Sequence, residues 1–126
     1  DLFEMTEQLS QGKIDSAARL LNGVLSNKEN TPIFVLAIFS SQVRKMYSLK
    51  LAQSLGKGKS LIMELADIRY DFIYNKLAAC ARPYSLSALK KLVEICTEYD
   101  YLMKSSGLDG GLLLKELLMK VAVLEK

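Results

Sequence analysis

At 126 residues, half of them apolar and a quarter charged, the chain has the size of one ordinary domain and a globular rather than a disordered composition. The net charge of +3 permits a nucleic-acid partner without requiring one, because a dedicated binder concentrates its basic residues on one face. Histidine is absent, which removes the usual neutral-pH acid–base group and every His-containing triad or zinc site, and disfavours an enzyme.

Only two prolines occur, and Leu and Ala outweigh Val, a balance that favours helix because unbranched side chains lose little rotamer freedom there. Leu2, Phe3, Met5 and Leu9 have near-helical spacing that stops near Gly12. Asp15 is placed to cap a second helix carrying Ala18, Leu21 and Leu25 on one face, with Ala17, Leu20 and Val24 beside it. The polar stretch Ser26 to Asn30 is short enough to fold this helix and the next into a hairpin.

Thr31 is a good N-cap, and Pro32 suits the first helical position, where its missing N–H costs nothing. No further Pro or Gly appears until Gly56, so a central helix is predicted over about 31–56, on the order of 36 Å long at 1.5 Å per residue. Its first half, Ile33 to Phe39, is apolar nearly all round, which predicts that other elements surround it. From Gln42 it becomes one-sided, with Val43, Met46, Tyr47 and Leu51 set against Arg44, Lys45, Lys50 and Gln53. The span is too short, and too soon charged, to cross a bilayer.

Ser60 can cap a short helix reaching about Ala66, the chain turns between Asp67 and Asp71, and another amphipathic piece runs from Phe72 to Arg82 before Pro83. Ser85 caps the next helix, whose stripe of Leu86, Leu89, Leu92, Val93, Cys96, Tyr99 and Leu102 keeps i, i+3, i+4 spacing. Ser105 to Gly107 breaks it, and Asp109 can cap a last helix with Leu112, Leu113, Leu117, Met119, Val121 and Leu124. The fold class is all-α: a compact bundle of six or seven helices around the central one, forming a single domain over 1–126.

Several patterns carry chemical possibilities. Gly58-Lys59-Ser60 imitates the end of a phosphate-binding loop, but Gln53 stands where the full pattern wants Gly, and a helix rather than a strand precedes it. Glu64, Asp67 and Asp71 share a face if their helix is unbroken, yet oxygen-rich metal sites need further converging groups. Glu94 and Glu98 form a like-charged i, i+4 pair, with Lys90 one turn before Glu94. No catalytic, cofactor-binding or metal site is assigned. Cys80 and Cys96 are too few for a Cys-only zinc site and read as buried free thiols of a reducing, cytoplasmic compartment. The opening DLFEMTEQL is no signal peptide, and a start at Asp1 rather than Met suggests the C-terminal fragment of a longer protein.

The candidate contact residues are Arg44, Lys45, Tyr47, Lys50, Lys57 and Lys59. Cations interleaved with aromatics suit contact with single-stranded nucleic acid, and an independent nucleic-acid-binding helical module is one reading of them. A solvated helix end, whose cations complement the helix dipole, is the other.

Taken together, the pieces resemble the C-terminal collar domain of the delta subunit of the bacterial DNA polymerase III clamp loader. Gly12 followed by Ala17 and a Leu-rich helix resembles that family's opening hairpin. Thr31-Pro32 leading through Leu36 and Ala37 to Gln42-x-Arg44, then Lys50 and Gly56, resembles its longest helix. Ala81-Arg82 followed by Ser85 and Leu89, and then Asp100, Lys104-Ser105 and Asp109, resemble its later junctions. The chain departs at Arg69-Tyr70-Asp71-Phe72, where many relatives have a His-Pro step before the Phe.

The resemblance implies an oligomerisation module that packs beside equivalent domains of delta-prime and gamma/tau-type subunits in a complex that loads the sliding clamp during DNA replication. It implies contact with the clamp through an N-terminal region absent from these residues, and proximity to DNA in the assembled complex. It implies a subunit that does not hydrolyse ATP, and no cofactor.

Overall fold

The computed structural model describes residues 2–126; Asp1, the first residue of the acidic opening, lies outside them. Seven helices follow in order: α1 (Leu2–Ser10), α2 (Ile14–Leu25), α3 (Pro32–Ser54), α4 (Lys59–Leu65), α5 (Asp71–Ala81), α6 (Leu86–Ser105) and α7 (Gly110–Val123). There is no strand among the described residues.

Three predicted caps are in place. Thr31 accepts from the Phe34 amide at 3.3 Å, Ser85 from Ala88 at 3.0 Å and Asp109 from Leu112 at 3.1 Å, each satisfying a donor that the first turn leaves orphaned. The far end of α3 closes at Gly56, whose φ of 75° is the left-handed conformation open to a residue without Cβ. There the Gly56 amide reaches Gln53 O and the Lys57 amide reaches Ala52 O, both at 3.0 Å, the bond pair of a Schellman stop.

Two caps fall elsewhere than predicted. Lys13, not Asp15, occupies the N-cap of α2 with no side-chain bond, because its carbonyl already accepts from Ala17 at 3.1 Å. Asp15 sits in the first turn instead, where its charge complements the dipole. Likewise Gly58 caps α4 in extended conformation and its carbonyl takes the Ile62 amide at 3.0 Å, which puts Ser60 inside the helix.

The α2–α3 hairpin does not form. α2 packs against α1 and α7, while α3 packs most extensively against α6 and then α5. Ala17 and Leu21 of α2 are buried in the common core with Met5 and Leu9 of α1. Asn30 holds the intervening turn by donating to Val24 O at 3.1 Å. Brevity of a linker fixes where the next helix starts; the apolar faces decide what it packs on.

α3 is central, touching α1, α4, α5, α6 and α7. Val35, Leu36, Phe39, Val43, Met46 and Leu49 are buried on its inner side, opposite the predicted stripe of α6, of which Leu89, Leu92, Cys96 and Tyr99 are buried. Gln42 is buried among them, and the Thr6 hydroxyl lies 2.6 Å from its Oε1, so this polar group is satisfied without water. Where α7 begins, a Cβ on Gly110 would fall 2.7 Å from Pro32 Cβ, so glycine is what lets α7 approach the start of α3.

The expectation that the apolar start of α3 is surrounded needs correction. Ile33 and Phe34 are 39% and 49% exposed, and Ala37 is exposed too. Neighbours cover only one side of the helix, because the partner helices are too few to wrap it. On α7 the same occurs: Leu112 and Met119, predicted with the core stripe, face outward while Leu113, Leu114, Leu117 and Leu118 are buried.

Candidate interaction surface

The six candidate contact residues do not form one patch. At about 100° per residue along a helix, Lys50 lies roughly 120° around α3 from Arg44 and about 140° from Lys45, so it points away from both. Its ammonium is engaged within the fold, donating to Ala81 O at 3.1 Å, Arg82 O at 3.3 Å and Tyr84 O. A cation there joins the carbonyl of Ala81, which also accepts the Tyr84 amide at 3.0 Å, to those of Arg82 and Tyr84 just past the end of α5. Lys59 pairs with Asp71 at 3.4 Å and lies 5.1 Å from the Tyr74 ring centre. Tyr47 is half-buried against the core. Lys57 is exposed in the loop after α3. That leaves Arg44 and Lys45 on the outer side of α3, with Arg44 toward α6, where its charge is felt at Cys96, and Lys45 toward α5, where it lines a groove.

That groove has a volume of about 510 Å³. One wall is α3, through Ile38, Ser41 and Lys45; the other is the segment from Asp67 to Ile73. The second wall follows from how α4 ends. Asp67 takes a φ of 55°, a left-handed conformation that Asp tolerates better than most residues, and the Ile68 amide then reaches back to Met63 O at 2.8 Å. Ile68 is thereby buried at the groove's base, and Tyr70 emerges extended before α5. Tyr70 and Phe72, 61% and 58% exposed, stack at 5.7 Å between ring centres to form the lip.

Position 71 is the first residue of α5 and follows an extended residue. Those are the backbone conditions of an X-Pro step at a helix start, so Tyr70-Asp71 occupies the geometry that a His-Pro step would.

The same stop at Asp67 separates the acidic trio. Glu64 stays on α4, Asp67 lies 4.0 Å from Arg69, and Asp71 opens α5 beside Lys59. No group of three His, Cys, Asp or Glu converges on a possible metal position among the described residues. Glu98 takes a cation from α7, Lys120, at 3.4 Å. Lys120 also lies 5.2 Å from the ring centre of buried Tyr99, whose hydroxyl donates to Glu116 at 2.6 Å. Burial first, and then that carboxylate, raise the Tyr99 pKa above the ordinary tyrosine value. Cys80 and Cys96 are free and buried, and burial pushes each thiol up to about 11, which leaves neither a nucleophile at neutral pH. No helix among the described residues is long and apolar enough to cross a membrane.

Sequence reasoning selected the cations and missed the apolar and aromatic part of the surface: Phe34, Ile38, Ile68, Tyr70 and Phe72, with the small Ser41 among them. One available signal was two aromatics flanking an acidic residue in a short interhelical turn, where folding leaves large rings little to pack on. What the fold and this surface define is an all-α bundle with uncovered apolar helix faces, the class of helical interaction module.

Comparison with known proteins narrows the class. The model of the family "DNA polymerase III delta subunit, C-terminal domain" matches residues 1–121, and the chain belongs to that family. Among solved structures, the Bacillus subtilis DNA clamp loader delta protein (YqeN) is similar in fold, with a TM-score of 0.86 at 24% identity over 96% of this chain. The chain spans 35% of the length of that protein. No match was found among curated proteins.

Proposed function

We propose that this domain is the oligomerisation, or collar, module of a clamp-loader delta subunit, and that residues 1–126 form one helical domain in the C-terminal part of a longer protein. Its work is positional. It holds the subunit beside delta-prime and gamma/tau-type neighbours while other modules of the same protein engage the sliding clamp, with DNA close by in the assembled complex. The parent subunit does not hydrolyse ATP, and the domain itself carries no catalytic step.

The observation that carries this reading is the family match across 1–121. One feature of the surface supports it. Uncovered apolar side chains lie on two different helices, Phe34 and Ile38 on α3 and Leu112, Met119 and Val123 on α7, and a subunit held between two unlike neighbours needs two such faces.

The test is removal of this domain from the parent subunit. The truncated protein is expected to retain binding to the sliding clamp and to lose co-elution with the remaining loader subunits. Assembly that proceeds normally without the domain would sink the reading.

A further inference from the structure

We propose that the outer face of α3 and the groove beside it form a docking track for one amphipathic helix of a partner protein, apolar toward α3 and acidic along both flanks. The inference rests on the collar reading above and adds to it the face used and the chemistry of the partner.

Three observations carry it. The first is shape. Ala37, Ser41 and Ser48 lie on one line along the outer face, and Ser41 also lines the groove. Small side chains there let a second helix lie close, near the lower end of the roughly 8–10 Å usual between helix axes. Phe34 at one end and the Tyr70–Phe72 lip to the side supply the large aromatic surface that such contacts use as anchors.

The second is charge. Arg44 borders this face on its α6 edge and Lys45 on its α5 edge, and neither has an acidic partner among the described residues. The neighbouring cations differ: Arg69 lies 4.0 Å from Asp67 and Lys59 lies 3.4 Å from Asp71. A helix laid along the track therefore meets an unneutralised positive charge on each side, and acidic flanks complement it.

The third concerns the competing occupants. A second copy of this chain would offer α7, whose outward Leu112, Met119 and Val123 have Glu116 in their midst and Lys115 and Lys120 at their sides; that helix would lay a carboxylate on the apolar floor and set lysines against Arg44 and Lys45. A nucleic-acid backbone would meet an aliphatic floor of Ile38, Ile68 and Ile73, which gives its phosphates no donor. Both fit worse than an acidic amphipathic helix.

The experiment uses the full-length subunit and, as probe, the remaining loader subunits of the same organism purified without it. Two variants block the track by different means: Arg44→Glu with Lys45→Glu reverses its edges, and Ser41→Trp fills it. Thermal melting establishes that each is folded, which is expected because these side chains lie outside the core. Met119→Glu on α7 serves as the comparison. Both track variants should weaken association about tenfold or more, and the charge reversal should also flatten its salt dependence. If the wild-type subunit associates and Met119→Glu disrupts it while folded track variants bind normally, the docking track is wrong and the collar reading stands. If the wild-type subunit does not associate at all, the collar reading falls and takes the track with it. Track variants that alter only self-association or DNA binding would overturn the proposal in favour of those occupants.

Discussion

The two sides of α3 are built from the same kinds of residue and have opposite situations. On the inner side Leu36, Phe39, Val43 and Met46 are sealed against the rest of the bundle. On the outer side Phe34, Ala37 and Ile38, drawn from the same apolar run, stay wholly or partly in contact with water. Folding accounts for the first set, since each buried large side chain contributes roughly 1.5–3 kcal/mol. It does not account for the second, which is why the outer face is the place to look for a partner.

That contrast can be broken by truncating one residue on each side. Leu36→Ala should cost about 2–5 kcal/mol, as a buried deletion leaves a cavity that neighbours only partly fill. Ile38→Ala should cost under about 1.5 kcal/mol, because its side chain gives up less burial. Urea titration of both variants measures the difference. Equal losses would mean that the outer face is structural after all.

The cations sharpen the same comparison. Lys50→Met removes the donor to three carbonyls near the end of α5 and should destabilise by about 1.5–3 kcal/mol, the usual worth of hydrogen bonds to a charged group. Lys57→Met, at an exposed loop position, should stay within about 0.5 kcal/mol. Thermal melts of the two variants separate a cation used in folding from one that is not.

A smaller effect is expected where α3 meets α7. Gly110→Ala places a Cβ 2.7 Å from the Pro32 ring, and such overpacking costs about 1–3 kcal/mol. Better helix propensity returns up to about 1 kcal/mol. A net loss on the order of 1 kcal/mol should appear as a lower Tm, whereas a stabilised variant would show that α7 can shift away from Pro32.

Alkaline pH gives the gentlest probe of the inner side. The Cys80 and Cys96 thiols have an ordinary value of 9.0 and are raised to about 11 in the fold. Above pH 9.0 the unfolded chain therefore loses these protons while the folded chain keeps them, so stability should fall progressively until about pH 11. Tm measured against pH in the wild type and in Cys80→Ala checks this, the variant showing a shallower decline. Tyr84, raised to about 12 by burial, extends the loss in the same direction.

The sequence by itself determined the helices and many of their ends. Thr31-Pro32, Ser85 and Asp109 announce starts because a cap is a contact between near neighbours, and Gly56 announces a stop because its backbone conformation is local. The order of motifs likewise pointed to the delta-subunit family that the match over 1–121 shows. Tertiary structure alone decided the rest. It sent α2 to α1 and α7 instead of α3, turned Lys50 inward to the carbonyls after α5, and left Arg44 and Lys45 on the outer face. It also raised Tyr70 and Phe72 into a lip beside α3. Each of these depends on which apolar faces compete for a limited number of neighbours, a property of the whole packed bundle that no single window of residues contains.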